Sequence, residues 1–342
     1  MRMRRCLITG AQGFLGRYLV ARLLRDRADA EVLGVGRSPR SDAHFTHTLA
    51  WSGAPVPAPL PAQPRAAARD PRYRYRAADV EDAGAVARLV AEFRPHVVFH
   101  LASTLRGESR ERLYRTNLGG TRGLLAGIAA AGVPVERIVL GSSGAVYRTG
   151  PGCEPPFAED APLRPADAYG RSKLAAERAC RAFPHLPVMH ARIFNLVGPG
   201  QDERHAAGRF AGRLAAMAHA GLPRQLEVGS LSPTRDWMDV RDAASALALL
   251  GERGEPGRAY NVASGVEVPV RAVLDALVRL AGIPVDVVED RAGPPPGEPR
   301  HVADVRRLRE MGFAAEYPLE RTLADLWDYY LGVDRHAVSD AA

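Results

Sequence analysis

The sequence of 342 residues predicts an α/β protein with a doubly wound parallel sheet and a second, smaller α/β lobe. Short apolar runs, which are typical of buried strands, alternate with helical patterns through the first half of the chain. Beyond Pro187 the strand and helix patterns become mixed, which indicates the second lobe. The alternation is clearest in residues 6–9, 14–24, 31–35, 97–101 and 137–140.

These patterns also predict where the chain divides. We expect residues 1–187 to form the sheet domain, with a segment near 236–265 returning to it, and residues 188–332 to form the second lobe. Residues 333–342 are predicted to be a disordered tail. The Pro- and Ala-rich stretch 39–69 interrupts the alternation, so we interpret it as a mobile surface loop.

Composition and cysteine usage disfavour several classes of protein. Hydrophobic residues make up 46% of the chain and charged residues 25%, as in ordinary soluble globular proteins. No run of about 18 apolar residues indicates a membrane span, and the apolar stretch before Gly10 is too short for a signal peptide, so we expect a cytoplasmic protein. Cys6, Cys153 and Cys180 lack metal-ligand spacing, so we expect no metal site.

The positions of the arginine, lysine and asparagine residues bear on the function of the chain. Although the net charge is +7, the arginines are scattered and no basic run is interleaved with aromatic residues, which disfavours nucleic acid as a partner. Lys173 is the single lysine in the chain, and Asn117, Asn195 and Asn261 are its three asparagines. A GC-rich genome accounts for this scarcity but not for the positions, each of which falls in a motif described below.

A glycine motif, Gly10-Ala11-Gln12-Gly13-Phe14-Leu15-Gly16, lies between the first predicted strand and the first helix. Glycines there allow a tight turn and a close approach of the backbone to a pyrophosphate, and the helix N-terminus supplies free N–H groups. The motif therefore predicts a dinucleotide site in a Rossmann domain, with a plain structural turn as the alternative. The candidate contacts are Gly10, Gln12, Gly13, Phe14, Leu15 and Gly16.

The end of the second strand bears on the choice of cofactor. NAD-preferring sites usually carry an acidic residue there, which accepts a hydrogen bond from the ribose 2′-hydroxyl, whereas this chain has Arg37 and Ser38. A guanidinium and a hydroxyl suit a 2′-phosphate, so NADP(H) is favoured and NAD(H) remains possible. Asp79 and Val80 follow the third strand and are expected beside the adenine.

Tyr169 and Lys173 are expected to share one face of a helix, because they are four residues apart. An ammonium near a phenol lowers the pKa of the phenol, which could then exchange a proton with a substrate hydroxyl or carbonyl. The Ser-rich stretch after the fifth strand would place a hydroxyl on the reacting carbonyl oxygen. Ser143 is the candidate for this role and Ser142 the alternative.

Taken together, these motifs resemble the extended short-chain dehydrogenase/reductase family. The likeness rests on the glycine motif, His100-Leu101-Ala102, Asn117 with Gly120-Thr121, Ser143, and the pair Tyr169 and Lys173. It implies a Rossmann domain, a Ser–Tyr–Lys triad with Asn117 as the helix asparagine, and a lobe that binds a nucleotide-diphosphate sugar. It also implies cofactor contacts at Leu101, Ala102 and Ser103, and a homodimer formed through helices near 106–131 and 168–183.

The C-terminal half resembles one branch of that family, the GDP-6-deoxy-D-mannose reductases. The likeness lies in Arg192-Ile193-Phe194-Asn195 and in the run from Arg235 to Asp242, and it implies that Asn195 and Arg235 contact the diphosphate. One motif departs from the family. Where relatives often have Arg-Pro-Gly-Asp, this chain has Pro295-Pro296-Gly297-Glu298, which leaves Arg291 or Arg300 as substitutes for the missing arginine.

Gly144 and Ala145 limit which of the family's reactions this chain is expected to catalyse. The family's 4,6-dehydratases carry Asp-Glu at this place and its decarboxylases usually keep a Glu, so their proton carriers are missing here. A reductase that uses NADPH on a 4-keto-6-deoxy sugar is favoured, with Thr104 and Ser143 binding the carbonyl and Asn117 holding a water behind Lys173. A 4-epimerase with tightly bound NAD and a non-catalytic NADP-binding scaffold are the alternatives.

Overall fold

The computed structural model describes residues 4–50, 55–150, 152–219, 224–290 and 300–339, without the side chains of residues 334–339. The strands are β1 (Arg5–Thr9), β2 (Glu31–Gly36), β3 (His44–Leu49), β4 (Val56–Pro59), β5 (Tyr73–Ala77), β6 (Val97–His100), β7 (Arg137–Ser143), β8 (Val188–Ile193), β9 (Asn195–Val197), β10 (Gln225–Val228), β11 (Thr234–Asp239), β12 (Ala259–Val262), β13 (Glu267–Pro269), β14 (Asp286–Glu289) and β15 (Arg300–His301). The helices are α1 (Phe14–Asp26), α2 (Ala62–Arg69), α3 (Ala83–Phe93), α4 (Arg110–Tyr114), α5 (Gly120–Ala131), α6 (Ala168–Ala179), α7 (Ala206–His219), α8 (Val240–Arg253), α9 (Val270–Ala281), α10 (Arg306–Glu310) and α11 (Leu319–Ser339).

Seven of these strands form one parallel sheet in the order β12-β8-β7-β6-β1-β2-β5. This confirms the predicted doubly wound α/β fold. The chain winds outward from β1 through β2 and then crosses to β6 on the other side, so the order reverses between β1 and β6. In open α/β sheets a ligand crevice lies outside the carboxyl ends of the strands at such a reversal.

Both faces of the large sheet are covered, because alternate strand residues point to opposite sides. Leu7 and Leu33 pack with apolar residues of α3 and α5 on one face. Ile8 and Val32 pack with α1 and α8 on the other. The sheet is therefore held from both sides, and its strand ends can position a site.

The second lobe is built around α7, α9 and α11 and several short strands. β10 pairs with β14, and β11 pairs with β9, β13 and β15. The strand Val188–Ile193 pairs with β7 in the large sheet, although the sequence predicts that the second lobe begins at residue 188. A buried strand has the same apolar pattern in either sheet, so the pattern alone does not assign it.

The stretch 39–69 is not the mobile loop that the sequence predicts. It contains the hairpin of β3 and β4 and then α2. Phe45, Leu49 and Leu60 are each no more than 5% exposed and belong to the main core cluster. Phe45 and Leu49, four residues apart on the same face of β3, anchor the stretch, and the surrounding polar, Pro and Ala residues obscure that pattern in the sequence.

The last helix, α11, begins at Leu319 and continues to Ser339. It therefore includes residues 333–339 of the tail whose disorder stays a prediction, while residues 340–342 lie outside the described part. Val333 is buried in the core, which outweighs the cost of about 1 kcal/mol that Gly332 brings to a helix interior. Of the helices described, none combines the length and apolar character needed to cross a membrane.

Candidate active site

A cavity of about 1450 Å³ opens at the carboxyl ends of β1, β6 and β7 and extends to the second lobe. Its lining includes Gly13 and Tyr169 from the sheet domain and Asn195 and Arg235 from the second lobe. Drug-sized ligands occupy pockets of roughly 300–1,000 Å³. The cleft therefore has room for two ligands side by side.

The glycine turn forms one end of this cavity. Gly10 has a φ of +70°, and a Cβ added there would lie 2.7 Å from the backbone nitrogen of Ala102. A Cβ on Gly16 would lie 2.3 Å from the Gly10 carbonyl oxygen. No side chain caps the first turn of α1, so its N–H groups are available beside Gly13 and Phe14, which line the cavity. These residues fit a pyrophosphate of a bound dinucleotide.

Arg37 and Ser38 line the same end of the cavity. Arg37 is exposed and has no ion-pair partner among the residues described. Gln12 is not part of the lining, and its side chain donates to the carbonyl oxygen of Pro39 at 2.6 Å. Asp79 and Val80 are not part of the lining, and Val80 packs against Gly120 of α5, so their contact with adenine stays a prediction.

The loop after β6 carries Leu101, Ser103 and Thr104, all of which line the cavity. Asn117, in a single π-helical turn before α5, accepts hydrogen bonds from the Thr104 nitrogen at 2.9 Å and the Ser103 hydroxyl at 3.0 Å. Its amide donates to the Ser172 hydroxyl at 2.9 Å. Asn117 therefore ties this loop to α6, and the water that the resemblance implies behind Lys173 stays a prediction.

Tyr169, Lys173 and Ser143 are brought together in the cavity lining. The Asp167 carboxylate caps α6 by accepting from the Gly170 nitrogen at 2.7 Å, so Tyr169 lies in the first turn. The Ser143 side chain lies near enough to Tyr169 to influence the pKa of its phenol. The Lys173 ammonium donates to a backbone carbonyl of β7 at 2.8 Å and lies 6.0 Å from the centre of the Tyr169 ring.

Burial shifts the pKa values of the two key groups in opposite directions. Burial lowers the pKa of Lys173 to about 8, and the nearby Glu177 carboxylate opposes this shift. Burial raises the pKa of Tyr169, which outweighs the lowering by the Ser143 side chain and by the charge of Arg106. The predicted lowering of the phenol pKa by Lys173 is therefore wrong for this structure.

Gly144, next to Ser143, is enclosed by aromatic rings. A Cβ at this position would lie 2.9 Å from a ring carbon of Phe194 and 3.0 Å from a ring carbon of His301. The His301 ring donates through Nε2 to the Gly144 carbonyl oxygen at 3.0 Å and lines the cavity. Sequence reasoning missed His301, because the family motif drew attention to the neighbouring Arg300 instead.

Arg300 is not in the cavity lining. It forms an ion pair with Glu267 at 2.6 Å, while His301, the next residue in β15, reaches the cavity. Adjacent strand residues point to opposite sides, which explains the difference, and the predicted contact of Arg300 with the substrate stays a prediction. Arg291 and the motif at 295–298 lie outside the described residues.

The second lobe supplies the other end of the cleft. Asn195 and Arg235 line it, and the Asn195 amide donates to the Asp236 carbonyl oxygen at 3.1 Å. Arg209 and Arg213, one turn apart on α7, also line it and were not found by sequence reasoning. Their spacing of four residues is a signal that could have identified a cationic helix face. Guanidinium groups in this number suit the phosphates of a nucleotide ligand.

Comparisons with known proteins agree with this geometry. A model of the NAD dependent epimerase/dehydratase family matches residues 6–263. The chain is 31% identical to GDP-6-deoxy-D-mannose reductase from Pseudomonas aeruginosa, over 94% of this chain and 95% of that protein. It is 32% identical to a UDP-glucose 4-epimerase from Mycolicibacterium smegmatis, over 89% of each. The structure of RMD from Pseudomonas aeruginosa complexed with NADPH aligns with a TM-score of 0.77 and 26% identity, covering 96% of this chain and 99% of that one.

Proposed function

Because the chain belongs to the NAD dependent epimerase/dehydratase family, we propose that it is a ketoreductase acting on a nucleotide-linked 4-keto-6-deoxy sugar with NADPH. Relatives in this family include sugar-nucleotide reductases, epimerases and dehydratases. The choice among these reactions therefore depends on the residues of the site.

The observation that carries the proposal is the crowding around Gly144. Elimination of water and decarboxylation need an additional acid or base at positions 144 and 145, and neither residue has a carboxylate. A side chain at 144 would collide with Phe194 and His301. The site therefore favours plain hydride transfer, which needs no proton carrier besides Tyr169.

Arg37 and Ser38 support NADPH rather than NADH. The exposed guanidinium of Arg37 lines the cavity beside the glycine turn, where an adenosine ribose would lie. A 2′-phosphate would gain a charge-assisted hydrogen bond there. NADPH is the cofactor expected of a net reductase, since an epimerase regenerates its own cofactor.

The proposed chemistry assigns one role to each residue. When bound, NADPH supplies the hydride that the C4 carbon accepts. Ser143 donates a hydrogen bond to the carbonyl oxygen, with Thr104 as a second donor, and polarises the carbonyl. Tyr169 donates its phenolic proton to that oxygen as negative charge develops. Lys173, held by the Gly141 carbonyl, places a positive charge near the resulting phenolate.

Arg235, Arg209 and Arg213 are proposed to hold the diphosphate of the sugar nucleotide, with Asn195 beside them. All four line the part of the cleft that belongs to the second lobe. We further propose that the enzyme is cytoplasmic and works as a homodimer through α5 and α6. The presence of both Tyr169 and Lys173 argues against a non-catalytic scaffold.

An epimerase that oxidises and re-reduces the same carbon is the second candidate. It is favoured by the likeness to the UDP-glucose 4-epimerase, and it also needs no carboxylate at positions 144 and 145. The two functions differ in their use of added cofactor. A reductase consumes NADPH in proportion to product, whereas an epimerase does not.

The test is to mix the purified protein with GDP-linked and dTDP-linked 4-keto-6-deoxyhexoses and follow NADPH and NADH absorbance. The proposal predicts consumption of NADPH equal to the product formed, with slower consumption of NADH. Interconversion of sugar nucleotides without loss of added NADPH, together with NAD retained through purification, would instead establish the epimerase.

A further inference from the structure

Arg17 is a fully buried cation directly behind the glycine turn. Its side chain follows Gly16 in α1, and the residue is only 2% exposed. One guanidinium nitrogen, Nη2, donates to the carbonyl oxygens of Ser41 at 2.7 Å and His44 at 3.0 Å. It also donates to Oε1 of Gln12 at 2.9 Å. Two of these acceptors belong to the segment that follows Arg37 and Ser38.

Gln12 forms further hydrogen bonds to the same segment. Its Nε2 donates to the carbonyl oxygen of Pro39 at 2.6 Å, and its Oε1 accepts from the backbone nitrogen of Ser41 at 2.6 Å. We call residues 37–43 the ribose loop. Gln12 and Arg17 thus join the turn that faces a pyrophosphate to the loop that faces the adenosine ribose.

This arrangement is costly for folding. Nε and Nη1 of Arg17 are buried and make no hydrogen bond to another described protein atom. Burial lowers the pKa of Arg17, partly offset by the nearby Tyr73 and Tyr75. An apolar side chain of similar length would avoid the desolvation of a buried charge. The bonds from Nη2 are what the arginine adds. One of them ends on the Ser41 carbonyl of the ribose loop and another on the His44 carbonyl directly after it, and no apolar side chain could hold either carbonyl.

We propose that Arg17 is a positioning residue for cofactor selection, which together with Gln12 holds the ribose loop so that Arg37 and Ser38 face the 2′-phosphate of NADPH. This inference rests on the proposed preference for NADPH. Its consequence is specific, because the pyrophosphate contacts of the glycine turn serve NADPH and NADH alike. Loosening the ribose loop should weaken NADPH binding and leave NADH binding nearly unchanged.

The experiment measures dissociation constants for NADPH and NADH by isothermal titration calorimetry. It compares the wild-type protein with Arg17→Met, which keeps the length of the side chain and removes its hydrogen bonds. We expect the preference for NADPH to fall about fivefold or more, as the loss of a positioning hydrogen-bond network implies, while NADH affinity stays within about twofold. Arg37→Ala serves as the reference for loss of the direct contact.

Arg22→Met is the matched control. Arg22 lies on the same helix, but it is paired with Asp26 and donates to Ser245 rather than to the ribose loop. This variant should keep the full preference for NADPH. If Arg17→Met does not fold, Gln12→Leu removes the Gln12 bonds to Pro39 and Ser41 while Arg17 keeps its bonds to the Ser41 and His44 carbonyls, and it should lower the preference for NADPH in the same way.

The outcomes separate this inference from the proposed function. A wild-type protein that binds NADH as tightly as NADPH would refute the cofactor assignment and the inference with it. A wild-type protein that prefers NADPH, with variants that retain that preference, would refute the inference alone. Equal weakening of both cofactors in Arg17→Met would show a general structural role and would also overturn it.

Discussion

At the scale of single residues, burial shifts the pKa values of Lys173 and Tyr169 in opposite directions. The pKa of the ammonium falls to about 8, and the pKa of the phenol rises above its ordinary value. Near neutral pH the site therefore holds a charged lysine beside a protonated tyrosine. That is the combination a ketone reduction needs, since the phenol has a proton to donate and the ammonium stabilises the phenolate left behind.

This pairing predicts an alkaline limb in the pH profile. Lys173 is charged below a pKa of about 8, so kcat/KM for ketone reduction should fall as pH rises through about 8. Steady-state rates between pH 6 and pH 10, in buffers of constant ionic strength, would measure it. Lys173→Met should be slow throughout and lack this limb. A wild-type profile that stays flat to pH 10 would contradict the assignment of Lys173.

Gly144 gives a second prediction at this scale. In Gly144→Ala the new Cβ would meet the Phe194 and His301 rings at about 3 Å, so we expect a loss of about 1–3 kcal/mol in the free energy of unfolding. Urea denaturation would measure it. Gly229→Ala is the control, because a Cβ there meets nothing within 4 Å and should change stability little. Equal stability of the two variants would mean that the pocket at Gly144 is open.

At the scale of elements, the hairpin of β3 and β4 joins the cofactor side of the cleft to the second lobe. Phe45 packs against Gly200, where an added Cβ would lie 2.2 Å from its ring. The Ala50 nitrogen donates to the Glu203 carboxylate at 2.9 Å, and the Tyr329 hydroxyl donates to the Pro59 carbonyl oxygen at 3.0 Å. The hairpin therefore belongs to the framework of the cleft.

We expect Phe45→Ala to cost about 3–5 kcal/mol of stability, because it empties a buried ring site between the lobes. Thr48→Ala, an exposed position on the same strand, should cost under about 0.5 kcal/mol. Chemical denaturation of both variants would measure the difference. A loss at Phe45 no larger than at Thr48 would indicate that the hairpin is loosely attached.

The secondary-structure elements also show which features of the site can be predicted from the sequence. The glycine turn and the Tyr169–Lys173 spacing depend on local geometry, so both could be predicted before the fold was known. His301, Arg209 and Arg213 were missed because they reach the cleft only through the packing of the second lobe. The direction of the Arg300 side chain could not be predicted, because it depends on the register of β15 with β11, which no local pattern specifies.

At the scale of the whole molecule, the lobes meet through buried polar residues. The Asp236 carboxylate in β11 accepts from the backbone nitrogen and hydroxyl of Ser264, both at 2.7 Å, in the loop after the last strand of the large sheet. The Asn261 amide of that strand donates to the carbonyl oxygens of Phe157 at 2.8 Å and Asp304 at 3.0 Å. Such contacts hold the second-lobe end of the cleft at a set distance from Tyr169.

The central claim is that Tyr169 protonates the carbonyl oxygen of a sugar nucleotide reduced by NADPH. Its most direct test is the single-turnover rate of Tyr169→Phe, measured together with its dissociation constant for NADPH. We predict that the rate falls by about 10²–10⁴, the usual contribution of a general acid, while NADPH affinity stays within about twofold. A Tyr169→Phe protein that turns over at the wild-type rate would contradict the account.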